Sequence, residues 1–384
     1  MNLASRISRI EDSIFDKMSK LAVEYQAVNL GQGFPDFDGP DWIKDKAYEA
    51  MKTGKNQYAP MAGIVSLRKI LSDVRAKFYN QNFDYDSEIT ITAGATEALF
   101  CSFNALINPG DEVILFEPYY DSYAADVVLA GGIPIYVTLH KPDFYIDFDE
   151  LKKAISPKTK IIVLNNPHNP TGKVFTYEEL KEISKISAEK NLLVISDEVY
   201  EFLLFDNSKH IPIALFEGMD ERTITISSCG KIFGMTGWKV GFAFANKELT
   251  DAIRKVHQWV TFAVNTPAQH AMAYAFLNIE NYLPEFKKIY QSKRDLVVEL
   301  LKDSNFTIHI PQGTYFAMID IPSTINLSDI ALSEKLVKEN KVATIPPSVF
   351  YGKSDEGKTM LRLCFAKKDE TLIQGINNLK GFKI

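Results

Sequence analysis

Cysteine is scarce in this chain: 384 residues carry three, Cys101, Cys229 and Cys364. Each lies in an apolar or motif-bearing segment and no two have paired spacing, which sets aside a disulfide scaffold and suits reduced thiols in a cytoplasmic protein. Cys229 stands two residues before Lys231, where a small buried side chain is the simpler role and oxidation sensitivity the alternative. An excess of basic charge is also missing: Lys and Arg total 43 against 49 Asp and Glu, a net charge of -6, with a pI near 5.7. That balance attracts neither nucleic acid nor an anionic membrane. No apolar run is long enough to span a bilayer, and the amphipathic stretch from Ser5 to Ala27 lacks a signal-peptide core. No Gly-x-Gly-x-x-Gly follows a strand-like run, there is no Walker loop, and paired His or Cys spacing is missing. Pyrophosphate-binding dehydrogenases and motif-based metal sites therefore drop out, and no metal is expected. Repeats, glycine-rich linkers and disordered compositions are missing too.

What remains is a soluble globular composition, 46% hydrophobic and 24% charged, in a chain too long for one ordinary domain. Apolar strand-like runs at Glu112 to Phe116, Ile133 to Val137, Lys160 to Leu164, Leu192 to Ile195 and Thr223 to Ile226 alternate with helix-like stretches. The pattern predicts an α/β fold with a mainly parallel sheet covered on both faces. Helices are expected to start at Asp41 after Gly39-Pro40, and at Thr176 with Glu179 three residues on, a capping box. A long mixed-charge helix is expected from Tyr282 to Lys302, followed by strands at Thr307 to Ile310, Tyr315 to Ile321 and Thr359 to Phe365.

Chemistry gathers at the ends of these runs. Thr223 to Ile226 ends in Ser227-Ser228-Cys229-Gly230-Lys231, placing Lys231 in a strand-end loop, where ligands of open α/β sheets sit. A buried lysine of depressed pKa attacks aldehydes, and Ser228 and Lys239 add a hydroxyl and a cation for a phosphate ester, the needs of pyridoxal 5'-phosphate (PLP). Leu192 to Ile195 leads into Ser196-Asp197-Glu198-Val199-Tyr200: Asp197 suits a protonated pyridine nitrogen, with Glu198 the spare, and Tyr200 suits the ring's phenolate oxygen. A helix N-cap is the plain alternative for Asp197. Ile161 to Leu164 leads into Asn165-Asn166-Pro167-His168-Asn169-Pro170-Thr171-Gly172, a rigid loop that holds the Asn169 amide still. Ile89 to Thr92 breaks at Gly94 into a helix whose first free amides, those of Ala95 and Thr96, form a phosphate cradle. Tyr120 offers an aromatic face for a pyridine ring. Arg362, in the alternating Met360 to Phe365, is the guanidinium for a substrate carboxylate.

Along nearly its whole length the chain resembles the class I, fold-type I PLP-dependent aminotransferases, in the branch where bacterial methionine aminotransferases group with kynurenine aminotransferases. The residues behind this are Asn29 to Phe37, Asn56-Gln57-Tyr58-Ala59-Pro60, Thr92 to Leu99, His168 to Gly172, Ser196 to Tyr200, Ser228 to Lys231 with Gly237 to Gly241, and Leu361 to Ala366. The resemblance implies a large PLP-binding domain with a sheet of the seven-stranded type at 36–285, and a small α/β domain built from 1–35 and 286–384. It implies that Lys231 is the Schiff-base lysine and proton shuttle, that Asp197 partners the pyridine nitrogen, and that Tyr200 and Asn169 bind the phenolate oxygen. Ser228, Lys239 and the Ala95 and Thr96 amides would hold phosphate, and Arg362, Gly33 and Asn169 the substrate carboxylate. Tyr58 would reach the neighbouring subunit's cofactor, which implies a homodimer. Lys239 stands where many of the broader family carry arginine.

The expected reaction is ping-pong transamination with a 2-oxo acid acceptor. Val256 to Asn265 and the aromatics Phe34, Tyr58 and Tyr119 suggest an apolar side-chain pocket, and Arg254, the nearest further arginine, sits in a helical pattern. Methionine is therefore expected first, with phenylalanine, tyrosine, kynurenine and glutamine behind it. The alternatives are a cysteine-conjugate β-lyase on the same site and a PLP-binding regulator; the early Gly31-Gln32-Gly33 leaves no room for a winged helix before it.

Overall fold

The computed structural model describes residues 4–10 and 12–382, so the outermost ends of the expected small domain, 1–3 and 383–384, and residue 11 in its arm lie outside the described residues. The β-branched and apolar runs form one large sheet, in the order Ile89–Thr92, Gly241–Phe244, Thr223–Ser228, Leu193–Asp197, Thr159–Asn165, Glu112–Glu117, Ile133–His140 and Tyr145–Ile146. The strands from Thr223–Ser228 through Ile133–His140 are mutually parallel, whereas Gly241–Phe244 runs antiparallel to both its neighbours. The expected seven strands are all present, and the two-residue Tyr145–Ile146 strand adds an eighth at the edge by folding back on Leu139 and His140. The middle strands are buried almost throughout because helices cover both faces.

Local signals act where they stand. Thr176 caps its helix, Tyr177–Glu189, with the reciprocal Glu179 bond of a capping box, and the helix after Gly39-Pro40 runs Asp41–Lys52. The long helix spans Ile279–Leu301 and carries Pro284 in its second turn. Beyond it, Thr307–His309, Phe316–Asp320 and Met360–Cys364 form a separate antiparallel sheet. Val28–Asn29 pairs in parallel with Val342–Ala343, so the N-terminal segment is sewn to the C-terminal quarter. Among the described residues no helix is long and apolar enough to cross a membrane.

Candidate active site

The carboxyl ends of the parallel strands converge on one cavity of about 300 Å³, the place where open α/β sheets bind ligands. Ser228 and Thr92 both lie opposite Gly241 in register, so three strand ends meet the start of the Gly94–Leu106 helix. Gly241 makes that approach possible: a Cβ there would lie 2.3 Å from the Gly94 carbonyl carbon and 2.5 Å from the Ala95 nitrogen. Gly94 itself has φ +76, a left-handed conformation that only glycine adopts cheaply. The outcome is a helix N-terminus whose Ala95 and Thr96 amides line the cavity. Lys239 reaches the same corner, its Nζ donating to Thr96 Oγ1 at 3.2 Å, and Ser228 Oγ completes it.

Lys231 does not sit in an open loop. Ser228 caps a single helical turn, Cys229–Ile232, by accepting from the Gly230 N–H at 3.2 Å, and that turn aims Lys231 at the cavity. Burial lowers its pKa from 10.5 to about 8, because a dry environment disfavours the ammonium form. Its Nζ donates to Tyr315 Oη at 2.8 Å and, more weakly, to the Gly33 carbonyl at 3.3 Å.

Alternation along the extended chain separates the two acids next door. Asp197 faces the cavity, where Tyr123 Oη donates to it at 2.6 Å and the Val199 N–H at 3.2 Å. Burial raises its pKa to about 6 despite those donors. Glu198 turns away into a buried network with Arg75, at 3.1 Å, and His210, at 2.9 Å, so it is no spare for Asp197. Nor is Asp197 a helix cap, since no helix follows its strand directly. Tyr200, Asn169, Tyr120 and Gly33 all line the cavity as expected.

Arg362 is the most telling side chain. It is 1% exposed, and its guanidinium lies 4.2 Å from the Phe316 ring centre, 4.9 Å from Phe15 and 5.5 Å from Phe350. Its hydrogen-bond partners are neutral: Asn169 Oδ1 at 3.2 Å and the Gly31 carbonyl at 2.8 Å. Its Nε has no partner, and no carboxylate forms an ion pair with it among the described residues. A buried cation left in that state calls for an incoming anion. Because Asn169 accepts through Oδ1, its NH₂ group is left to donate elsewhere.

Other expected residues fall outside the cavity. Tyr58 is 84% exposed; it packs edge-on against Phe262, with centroids 5.6 Å apart, and faces no part of this chain's own site. Tyr119 is buried and stacks on Tyr136 at 5.3 Å, because consecutive residues of an extended segment point to opposite sides and Tyr120 takes the cavity side. None of Val256 to Asn265 lines the cavity either. Arg254 is held by Thr90 Oγ1 and the Asp86 and Ile89 carbonyls, a structural role. The structure adds Phe15, Tyr123 and Asn165 to the lining. Asn165 Oδ1 accepts from the Asn169 N–H at 2.7 Å while its amide donates to the Asp197 carbonyl at 3.0 Å, locking two strand ends together. Behind the cradle, Glu97, Cys101 and His257 bring donor atoms within 4.8 Å of one another. Both His257 nitrogens are already committed, to Glu97 and to the Met61 carbonyl, and burial pushes the Cys101 thiol up to about 12.

The cavity thus combines a phosphate cradle, an amine of low pKa, a buried carboxylate and an arginine awaiting an anion. These residues fit pyridoxal 5'-phosphate, and the architecture is that of a fold-type I PLP-dependent enzyme. The class I and II aminotransferase family model matches residues 25–379, and the chain belongs to that family, whose cofactor is PLP. It is 41% identical to the methionine aminotransferase of Escherichia coli (strain K12), over 98% of this chain and 97% of that one. It is 39% identical to the kynurenine–oxoglutarate transaminase of Dictyostelium discoideum, over 99% and 96%. The solved N-succinyldiaminopimelate aminotransferase of Mycobacterium tuberculosis superposes with a TM-score of 0.96 at 38% identity, covering 99% of each chain. The chain is an aminotransferase acting on small molecules. Relatives of nearly equal identity carry the names of three different substrates, so identity alone does not choose among them.

Proposed function

We propose that the chain transfers the amino group of an apolar or aromatic L-amino acid, methionine first, to a 2-oxo acid in two half-reactions. Phenylalanine, tyrosine, kynurenine and glutamine are the next candidates. The observation that carries this reading is the single guanidinium, with no ion-pair partner, in a lining that includes the apolar Phe15, Phe34, Leu99 and Phe316, with Lys239 committed to the phosphate corner. One carboxylate is met there and a second finds no arginine among the described residues.

PLP, when bound, supplies an electron sink that lowers the cost of removing the Cα proton. The Ala95 and Thr96 amides, Ser228 and Lys239 would hold its phosphate, with the Tyr120 ring beside the pyridine. Asp197, held in place by Tyr123, would keep the pyridine nitrogen protonated. Tyr200 and Asn169 would donate to the phenolate oxygen. Arg362 clamps the substrate carboxylate, aided by Gly33 and Asn169, and so fixes the Cα–H bond relative to Lys231. Lys231, whose amine lines the cavity, would be the group that holds the cofactor and, as a free base, the one placed to move the Cα proton.

Residues 36–285 are read as the large domain and 1–35 with 286–384 as the small one, in keeping with the two sheets and the Val28–Asn29 pairing. The active unit is a homodimer in the cytoplasm. Tyr58, Trp259 and Phe262 support that assembly, because they are large apolar side chains left exposed, Tyr58 packing on Phe262 and lining no part of this chain's own cavity. Initial rates on L-methionine and L-aspartate with a common 2-oxo acid test the substrate class. Methionine should be preferred, and a preference for aspartate would overturn the reading.

A further inference from the structure

Tyr315 is not part of the cavity lining, yet its hydroxyl is the nearest partner of the Lys231 amine. It is 1% exposed and held on all sides: its ring meets Tyr200 edge-on at 5.2 Å, lies nearly parallel to Tyr290 at 6.0 Å and touches Phe316 at 4.8 Å. Its Oη donates to the Gly33 carbonyl at 2.6 Å. A phenol has one proton, and a carbonyl can only accept, so that proton is committed and Tyr315 meets Lys231 with a lone pair. Burial, together with neighbouring Tyr200, raises the Tyr315 pKa well above 10, so the phenol stays neutral. Two N–H bonds of the lysine then have fixed acceptors, Tyr315 Oη and, more loosely, Gly33 O. For a neutral amine, that leaves only the nitrogen's own lone pair, on the side of the cavity that Lys231 lines.

We infer that Tyr315 is a positioning residue for Lys231: with the Gly33 carbonyl it forms a docking site that holds the amine whenever it is released from the cofactor, and turns its lone pair towards the substrate Cα. The inference rests on the reading of Lys231 given above. It also joins three parts of the chain at one oxygen: Gly33 lies in the segment sewn to the C-terminal quarter, Tyr315 precedes the Phe316–Asp320 strand, and Lys231 sits on the helical turn that follows the Thr223–Ser228 strand of the large sheet. Proton transfer is sensitive to such placement, since a displacement of about 1 Å costs on the order of a hundredfold in rate.

Two measurements on the PLP-loaded enzyme test it. The first is a crystal structure of the wild type converted with L-methionine and freed of product. Lys231 Nζ should lie within hydrogen-bonding distance of Tyr315 Oη, and a nitrogen turned elsewhere overturns the inference. The second is Tyr315→Phe, which keeps the ring and removes only the hydroxyl. The rate of the half-reaction should fall about tenfold to a hundredfold, and the isotope effect with Cα-deuterated methionine should rise, while the resting absorbance band and cofactor affinity stay as in the wild type. Tyr290→Phe, the stacked neighbour, serves as the control and should change neither. A half-reaction within twofold of wild type, or a slower one with an unchanged isotope effect, marks Tyr315 as structural. Conversion of the wild type by methionine is run first: if Lys231 proves not to carry the cofactor, both the site reading and this inference fall, whereas failure of the Tyr315 tests alone leaves the site reading standing.

Discussion

Gly241→Ala tests the cradle through a single methyl group. The new Cβ would stand 2.3 Å from the Gly94 carbonyl carbon, 2.5 Å from the Ala95 nitrogen and 2.8 Å from Gly94 Cα. All three are backbone atoms, so no side chain can swing aside. Ordinary contact begins near 3.4 Å, and the helix start must therefore withdraw from the strand by about 1 Å. Overpacking of this kind costs roughly 1–3 kcal/mol of stability. The Ala95 and Thr96 amides travel with the helix start, and charge-assisted hydrogen bonds are worth roughly 1.5–3 kcal/mol each. Losing one to two of them weakens PLP binding by about 1.5–6 kcal/mol, or about tenfold to ten-thousandfold. The assay is titration of the cofactor-free protein with PLP, followed by absorbance, beside a thermal melt to show that the variant is folded. Gly237→Ala is the matched control, because its Cβ would meet nothing within 4 Å, and it should bind as the wild type does. A folded Gly241→Ala protein that binds PLP within threefold of wild type would falsify the cradle.

Three further outcomes are expected. Arg362→Lys keeps the charge but loses the fork, so kcat/KM for methionine should drop by about a hundredfold while PLP affinity holds; an unchanged kcat/KM would move the carboxylate elsewhere. With the Lys231 pKa at about 8, about a tenth of the amine is free at pH 7, against about 0.03% for an exposed lysine. Capture of PLP by the cofactor-free protein should therefore accelerate as pH rises through about 8 and then level off; a rate still climbing steeply at pH 10 contradicts the lowered pKa. Trp259 is 84% exposed, so Trp259→Asp should leave the subunit folded yet shift light-scattering mass from dimer to monomer and cut turnover, whereas a monomeric wild type would end the role given to Tyr58.

Local chemistry explains why so much of the site could be read from the chain. Strand ends, proline-rigid loops and a glycine-broken helix start are short-range signals, and Asp197, Asn169, Ala95, Thr96, Ser228, Lys231 and Lys239 each sit on one of them. The same holds for the parallel strands, whose β-branched runs are continuous because both faces are buried. What escaped is long-range. Tyr123 reaches Asp197 across 74 positions and Tyr315 reaches Lys231 across 84, and no periodicity announces such a meeting. Asn165, inside a motif, carries no chemical signal of its own because its work is to bond backbone rather than ligand. Tyr119 stands outside the cavity; composition does not tell which of two adjacent tyrosines turns inward, a matter of alternation settled by packing on Tyr136. Lys231 sits on a helical turn rather than in a loop because Ser228, besides offering a hydroxyl to phosphate, caps that turn through the Gly230 N–H.

The most direct measurement is an absorbance spectrum of the purified, PLP-loaded protein before and after L-methionine, with no 2-oxo acid present. The account predicts that the visible band of the lysine-bound cofactor gives way to the shorter-wavelength band of pyridoxamine phosphate as 2-oxo-4-methylthiobutanoate appears in equal amount. A protein that develops no visible band even with added PLP would contradict the assignment of Lys231, and with it the account of the site.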